Sequence, residues 1–486
     1  MKKENRSFWD TPFTRSAIRS DEVKLPEQLI GYLIGPFGAS LTSGIFTAFL
    51  NKYFTDVLQL DTSFLSALQL VSTILIVAAN LAVGQLIERT RALAGKARPW
   101  ILLSALTVSV SSVLLFVVPF ESETAKMVWI AVAYNLYYAV AYPIYSTANS
   151  TLVSVSTRDS QKRGSMASFV NIAGLGVMGF GSMIFPILVS NVLKDDQHIW
   201  FLVMLAIGIF SGLTILLQYK FTRERITEES MGQGGAQQKA AVSLGQQLKA
   251  VSGEKWWWVI MVFFVVFQWS GALKNGSMSY FCQWVVDSSI FGGDYGVAQS
   301  LLSIMGAIPM AVAAVAVVPL ANRFGKRRVV FVGQIMGAAG GIFAGLFSTN
   351  LVAVSIGVAV KCLGSSPACY LILAMLADVI DHIEYKCGIR TDGLTMSLYS
   401  SVAVAATPIC NAFFMAILGW AGYDQSGAAA AQSGVVQSAI TVSYIWVESI
   451  AYILCAVLIL FFTVERNLPA EQAAIQARRT EEGQQN

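Results

Sequence analysis

Three ionisable side chains, Lys274, Lys361 and Glu448, sit inside apolar stretches of this 486-residue chain. A charge at mid-depth in hydrocarbon costs at least ~2.5–3.5 kcal/mol, so such residues face a cavity or a partner. Two ammonium groups are the chemistry of an anion site, each suited to meet a carboxylate. A lysine that meets Glu448 is instead a neutral structural tie, and a desolvated lysine can also carry a proton. Beside Lys274 stand Gln268, Trp269 and Asn275, which offer an apolar face and amides of the kind a sugar ring needs. Tyr138, Tyr142 and Tyr145 recur at i, i+4, i+7, which predicts one helical stripe, either a stacking platform or ordinary packing. Other chemistry finds little material. Six cysteines and two histidines form no CxxC, HExxH or phosphate-loop pattern, which argues against an enzyme, a metal site or a resident cofactor.

These residues need elements to hold them. The chain is 55% apolar and 13% charged, far from the roughly 25% charged of soluble domains. Twelve stretches are of the ~20-residue length that crosses a ~30 Å core as a helix. They fall at about 28–54, 62–87, 100–120, 127–153, 166–193, 199–219, 256–285, 296–321, 329–348, 351–380, 394–420 and 439–463. With both termini inside, 28 of the 33 Lys and Arg lie on the cytoplasmic side, leaving Lys52, Lys126, Lys194, Lys274 and Lys361. The net charge of +4 is thus a topology signal and not the mark of a nucleic-acid partner. No cysteine falls in an outer loop, so a structural disulfide is not expected.

The organisation reads as two halves. A charged N-terminal tail (1–26) with no secretory signal precedes a six-helix bundle (27–219). A Gln/Gly-rich cytoplasmic linker (220–255), a second bundle (256–463) and a cytoplasmic tail (464–486) follow. Gly95-Lys96-Ala97-Arg98 and Gly325-Lys326-Arg327-Arg328 are 230 residues apart, and Arg163 and Arg390 are 227 apart, which points to duplication. Gly35-Pro36 with Gly38, Pro143, Asn275-Gly276 and Gly364-Ser365-Ser366-Pro367 predict helix interruptions in spans 1, 4, 7 and 10, where freed backbone groups either bind ligand or permit close packing.

The segment Gly84-Gln85-Leu86-Ile87-Glu88-Arg89-Thr90-Arg91, followed by Gly95-Lys96-Ala97-Arg98-Pro99-Trp100, resembles the loop 2–3 signature of the glycoside–pentoside–hexuronide:cation symporters, the melibiose-carrier branch of the major facilitator superfamily. Tyr53-Phe54-Thr55-Asp56, Thr157-Arg158-Asp159 with Arg163, and Ala377-Asp378-Val379-Ile380-Asp381 with Glu384 and Arg390 resemble its other landmarks, over residues 27–465. The resemblance implies an all-α membrane protein with twelve transmembrane helices in two halves. It further implies a carrier that moves a sugar, glycoside or hexuronide by alternating access, with Na⁺ or H⁺ as coupling ion, in the cytoplasmic membrane. Helices 1, 4, 7 and 10 would line its cavity, which puts both lysines there.

Several family positions differ here. Those of the cation-coupling acids on helix 2 are Ile76 and Asn80, of which only Asn80 offers an oxygen, so the cation site is non-standard. The sugar-binding acids align with Ser40 and Ala141, and the helix 11 lysine with Val404. Substrate contacts are therefore expected from Lys274, Lys361, Trp269, Gln268, Asn275, the three tyrosines and Ser40. Glu88, Arg89, Arg98, Asp159, Arg163, Asp378, Asp381, Glu384 and Arg390 are candidates for a cytoplasmic gate. The partners expected are a small-molecule substrate and membrane lipid, with a monomer favoured. An uncoupled facilitator or a carrier of amphiphiles such as lysolipids is the alternative.

Overall fold

A computed structural model describes residues 16–90, 92, 94–157, 162, 166, 169–170, 172–174, 181, 183–225, 244–388, 391–425, 432–466, 468 and 470–474. It forms two compact units, residues 1–237 and 238–486. Ten helices are long and apolar enough to cross a membrane: α1 (Glu27–Val57), α2 (Thr62–Arg89), α4 (Glu123–Val153), α6 (Gln197–Lys220), α7 (Lys255–Trp284), α8 (Tyr295–Phe324), α9 (Lys326–Leu346), α10 (Leu351–Cys387), α11 (Leu394–Ala421) and α12 (Gly434–Leu460). Two shorter apolar helices, α3 (Arg98–Leu114) and α5 (Met183–Leu193), complete the set. Each of the twelve apolar stretches thus holds a helix. Along α8, Ile308, Val312, Val315 and Val318 stay exposed, the surface a helix presents to hydrocarbon rather than to water.

The helix ends follow from capping. Asp61, Asp196, Asp294 and Asn350 each accept from a backbone N–H in the first turn of α2, α6, α8 and α10, at 2.8–3.3 Å. At its other end α10 runs two turns past the predicted stop, to Gly388, whose φ of 68° suits glycine and closes the helix. The start of α12 is also earlier than expected, because Ser433 accepts from Val436 N (3.4 Å).

Two further starts are capped from far along the chain, and in the same way. In the first unit the Glu224 carboxylate accepts from the N–H groups of Lys96, Ala97 and Arg98 (2.7, 2.8 and 2.7 Å), while Arg98 returns two hydrogen bonds to the carbonyls of Ala94 and Tyr219. In the second, Glu465 accepts from Lys326 N and Arg327 N (2.8 and 3.2 Å), and Arg327 donates to the carbonyls of Ile459 and Leu460. An acid just past the sixth helix thus neutralises the positive end of the third, and an arginine at the third helix covers the orphan carbonyls of the sixth. Both acids lie in a repeated Phe-Thr-x-Glu-Arg, at 221–225 and 462–466, which the sequence reading missed. Arg327, not Arg328, is the counterpart of Arg98.

The expected breaks divide: α1 turns at Gly35-Pro36, between a π-helical segment (Glu27–Ile34) and the α-helix from Phe37, and Pro143 opens the α-helical part of α4 just after a π-helical turn, whereas those of α7 and α10 prove to be packing devices. Glycines 31, 35 and 38 bring α1 against α6, where an added Cβ would collide with Thr222, Gln218 and Ser211. Helix α10 is continuous through Gly364-Ser365-Ser366-Pro367. Pro367 removes one N–H, and the carbonyl of Leu363 that it would have served accepts instead from Ser366 Oγ at 2.5 Å. Gly364 and Gly357 fit against Gly333, Gly337 and Gly340 of α9, so close that a Cβ on Gly364 would strike backbone. Helix α7 is likewise unbroken at Asn275-Gly276, where Gly276 makes room for Asn411 of α11.

Candidate functional site in the second unit

The glycine face of α9 lets α10 and α12 approach closely, and the three charges converge there. Lys361 Nζ of α10 lies 2.5 Å from Glu448 Oε2 of α12, and Lys274 Nζ of α7 lies 3.9 Å from Oε1. Lys361 and Glu448 are buried, at 1% and 3% exposure, whereas a fifth of the Lys274 side chain stays accessible. Tyr452 Oη donates to Glu448 Oε1 at 2.7 Å, and the Tyr444 ring sits 5.3 Å from the Lys361 ammonium. Glu448 stands just past a π-helical turn, Val442–Trp446, that inserts one residue into α12 and re-aims the residues after it. Gly341 clears the path, since a Cβ there would collide with Ser449 and touch Lys361 Cδ at 3.5 Å. The two lysines thus share one acid.

Along α7 the expected contacts divide. Trp269 is half-buried and its Nε1 is a buried donor with no acceptor among the described residues. Its carbonyl accepts from Cys410 Sγ at 3.1 Å, which sets it at the α7–α11 contact beside Asn411, whose Oδ1 is a buried acceptor without a donor. Gln268 is half-buried and Asn275 exposed. Neither makes a side-chain hydrogen bond among the described residues.

In the first unit the three tyrosines of the stripe divide their contacts. A π-helical turn at Leu136–Ala141 adds a residue to α4, so Tyr142 stacks on Tyr137 (5.9 Å) and not on Tyr138, which meets Tyr134 at 4.5 Å. Tyr145 is buried and donates to Gln218 of α6 at 3.2 Å. Ser40 is half-buried. Asn80 Nδ2 donates to the carbonyl of Ile76 at 2.8 Å, and α2 carries no acid before Glu88. An unforeseen polar pair joins α1 to α2, Gln69 Nε2 donating to Asn51 Oδ1 at 2.7 Å, with Asn51 Nδ2 and Gln69 Oε1 left buried and unmatched. Two amides in apolar stretches were the signal for them.

The gate candidates resolve by unit. Arg98 is a buried brace, 4% exposed, with its guanidinium over the Tyr219 ring at 4.7 Å. Asp378 is paired within its own unit, accepting from Lys326 Nζ at 2.6 and 2.8 Å, and Asp381 accepts from Gln472. Glu88 and Arg89 are exposed and Glu384 half-buried; Asp159, Arg163 and Arg390 lie outside the described residues. Missed in the sequence were Glu27 and Arg225, a buried bidentate pair at 2.7 and 3.1 Å that joins the start of α1 to the segment after α6. Among the described residues no His/Cys/Asp/Glu cluster suits a metal, and all six cysteines are free.

Two six-helix units of this construction define a membrane transporter of the major facilitator type. The nucleoside transporter NupG has the same fold, with a TM-score of 0.61 at 12% identity over 90% of this chain and 98% of that one. A peptide transporter of the POT type, in complex with alafosfalin, superposes with a TM-score of 0.57 at 13% identity, over 90% and 94%. The family model described as MFS/sugar transport protein matches residues 31–466, and the chain belongs to that family. It is a multi-pass membrane transporter and not an enzyme. Its relatives include the isoprimeverose transporter of Lactiplantibacillus pentosus, 27% identical over 96% of this chain and 94% of that protein. The putative glycoside/cation symporter YagG of Escherichia coli (strain K12) is 26% identical over 82% and 83%. A glucuronide carrier protein homolog from the same organism is 22% identical over 81% and 84%.

Proposed function

We propose that the protein is a symporter that carries a sugar, glycoside or hexuronide across the cytoplasmic membrane by alternating access, with both termini in the cytoplasm. The observation that carries this reading is the family match over nearly the whole helical chain, together with relatives of glycoside-transporter name at similar length. The Lys/Arg bias supports the orientation. Duplicate units with matching reciprocal caps support two bodies that each move as a piece, which is what alternating access requires.

The coupling ion is Na⁺ or H⁺, and its site is not the usual one. Helix α2 presents Ile76 and a self-bonded Asn80 where a carboxylate pair would coordinate a cation. The protein needs no resident cofactor, and it works as a monomer in membrane lipid.

Uptake of a labelled glycoside into proteoliposomes under an imposed Na⁺ or proton gradient tests this. Accumulation above equilibrium under one gradient is the expected result. Saturable uptake that only equilibrates under every gradient would replace the symporter with a facilitator.

A further inference from the structure

We propose that His382 is the catch of a proton-operated strap: the C-terminal segment around Glu471 is held on the ends of α7 and α10 while His382 is protonated, and is released when it is not. The strap lies within the second unit and goes beyond the transport reading, since it does not depend on what is carried.

His382 is one of two histidines in the chain and lies near the end of α10, in the stretch that the Lys/Arg bias assigns to the cytoplasm. Histidine is the side chain whose charge ordinarily changes between about pH 5 and 8. The fold sets an acid on each side of it. Nδ1 lies 2.9 Å from Glu471 Oε2 of the C-terminal segment, and Nε2 lies 3.8 Å from Oε2 of Glu254, the residue before α7. Trp256 packs edge-to-face on the imidazole at 4.7 Å, and His382, Glu254 and Glu471 are all buried. A carboxylate only accepts, so both ring nitrogens serve these acids only as imidazolium, in which each carries a hydrogen.

Charge balance sets what that proton does. Glu254 has a second partner, accepting from Lys386 Nζ at 2.8 Å, whereas Glu471 has His382 alone among the described residues. Two acids thus face two cations, and deprotonation leaves two buried carboxylates with one ammonium, a state that burial penalises. The neighbouring elements do not make up the loss. Asp378, a turn earlier on α10, is matched by Lys326 of α9, Glu465 is spent on the start of α9, and Lys255 of α7 lies over the Trp256 ring. From α11, Thr395 offers a neutral hydroxyl to Trp257.

Little else holds the segment. Leu468 enters the core, and Gln472 Nε2 donates to Asp381 at 2.9 Å. Lys386 keeps Glu254 tied to α10 at any neutral pH, so loss of the His382 charge acts on the segment and leaves the α7–α10 contact in place.

The test is a distance, read by double electron–electron resonance between nitroxides on Cys387, exposed at the end of α10, and on Ala473→Cys, exposed in the segment. The sample is purified full-length protein lacking the other five cysteines. Spectra are taken at about pH 6 and about pH 8.5, on either side of the range in which histidine titrates. One linked proton shifts an equilibrium by up to about tenfold per pH unit, so the released, long-distance population should rise by about tenfold or more between the two. His382→Arg keeps the charge and should hold the short distance at both pH values, while His382→Gln never gains it and should show the long population at both. Glu471→Gln should flatten the step as well, and it serves where His382→Gln does not elute as monodisperse protein. A wild-type distribution that is the same at both pH values, or a step that survives in His382→Gln or Glu471→Gln, overturns the strap. Either result leaves the transport reading standing, because no substrate enters the measurement.

Discussion

Lys361 and Lys274 share one carboxylate, yet their removal should not cost the same. Breaking a buried pair by truncating one partner typically costs about 3–5 kcal/mol, because the other charge is stranded. Lys361→Met leaves Glu448 facing a lysine 3.9 Å away, so its loss of thermal stability in detergent should be several-fold that of Lys274→Met. Equal losses would show that the two lysines hold the acid equally. The sequence announced all three residues, because charges stand out in apolar stretches. What it left open was which lysine pairs with Glu448, since Lys361 and Glu448 are distant in the chain and meet where α10 and α12 both pack on the glycine face of α9. The ring partners within the tyrosine stripe were hidden for a related reason. Periodicity assumes 3.6 residues per turn, and the π-turn at Leu136–Ala141 shifts the face by a residue with no mark that side-chain patterning reveals.

At the scale of elements, helix ends and helix contacts carry the predictions. Glu224→Ala uncovers three N–H groups at the start of α3, and Glu465→Ala uncovers two at the start of α9. Each should lower stability by about 1–2 kcal/mol, in the range of a lost cap, with Glu224→Ala the larger; thermal melts check both. Gly364→Val should abolish folded, monodisperse protein, because its side chain would enter the backbone of α9, whereas Gly84→Ala, which meets nothing within 4 Å, should behave as wild type. The existence of the helices was legible from hydrophobic length alone. Their continuity was not, because Gly and Pro signal a break and a tight contact with the same residues. The hydroxyl of Ser366 and the glycines of α9 decide the matter for α10, and both act through three-dimensional contacts.

For the whole molecule the strongest claims are topology and transport. The Lys/Arg asymmetry predicts that the end of α10 lies in the cytoplasm, and Cys387, exposed at that end, makes this testable. In a variant lacking the other five cysteines, an impermeant thiol reagent should label Cys387 in inside-out vesicles and spare it in right-side-out ones. The opposite pattern would invert the topology. Transport itself is most directly tested by counterflow, in which proteoliposomes loaded with unlabelled glycoside take up the labelled compound without any imposed gradient. Across a panel of neutral and carboxylate-bearing glycosides, at least one should show saturable, transient accumulation that empty liposomes lack. Folded, reconstituted protein that moves none of them would contradict the account.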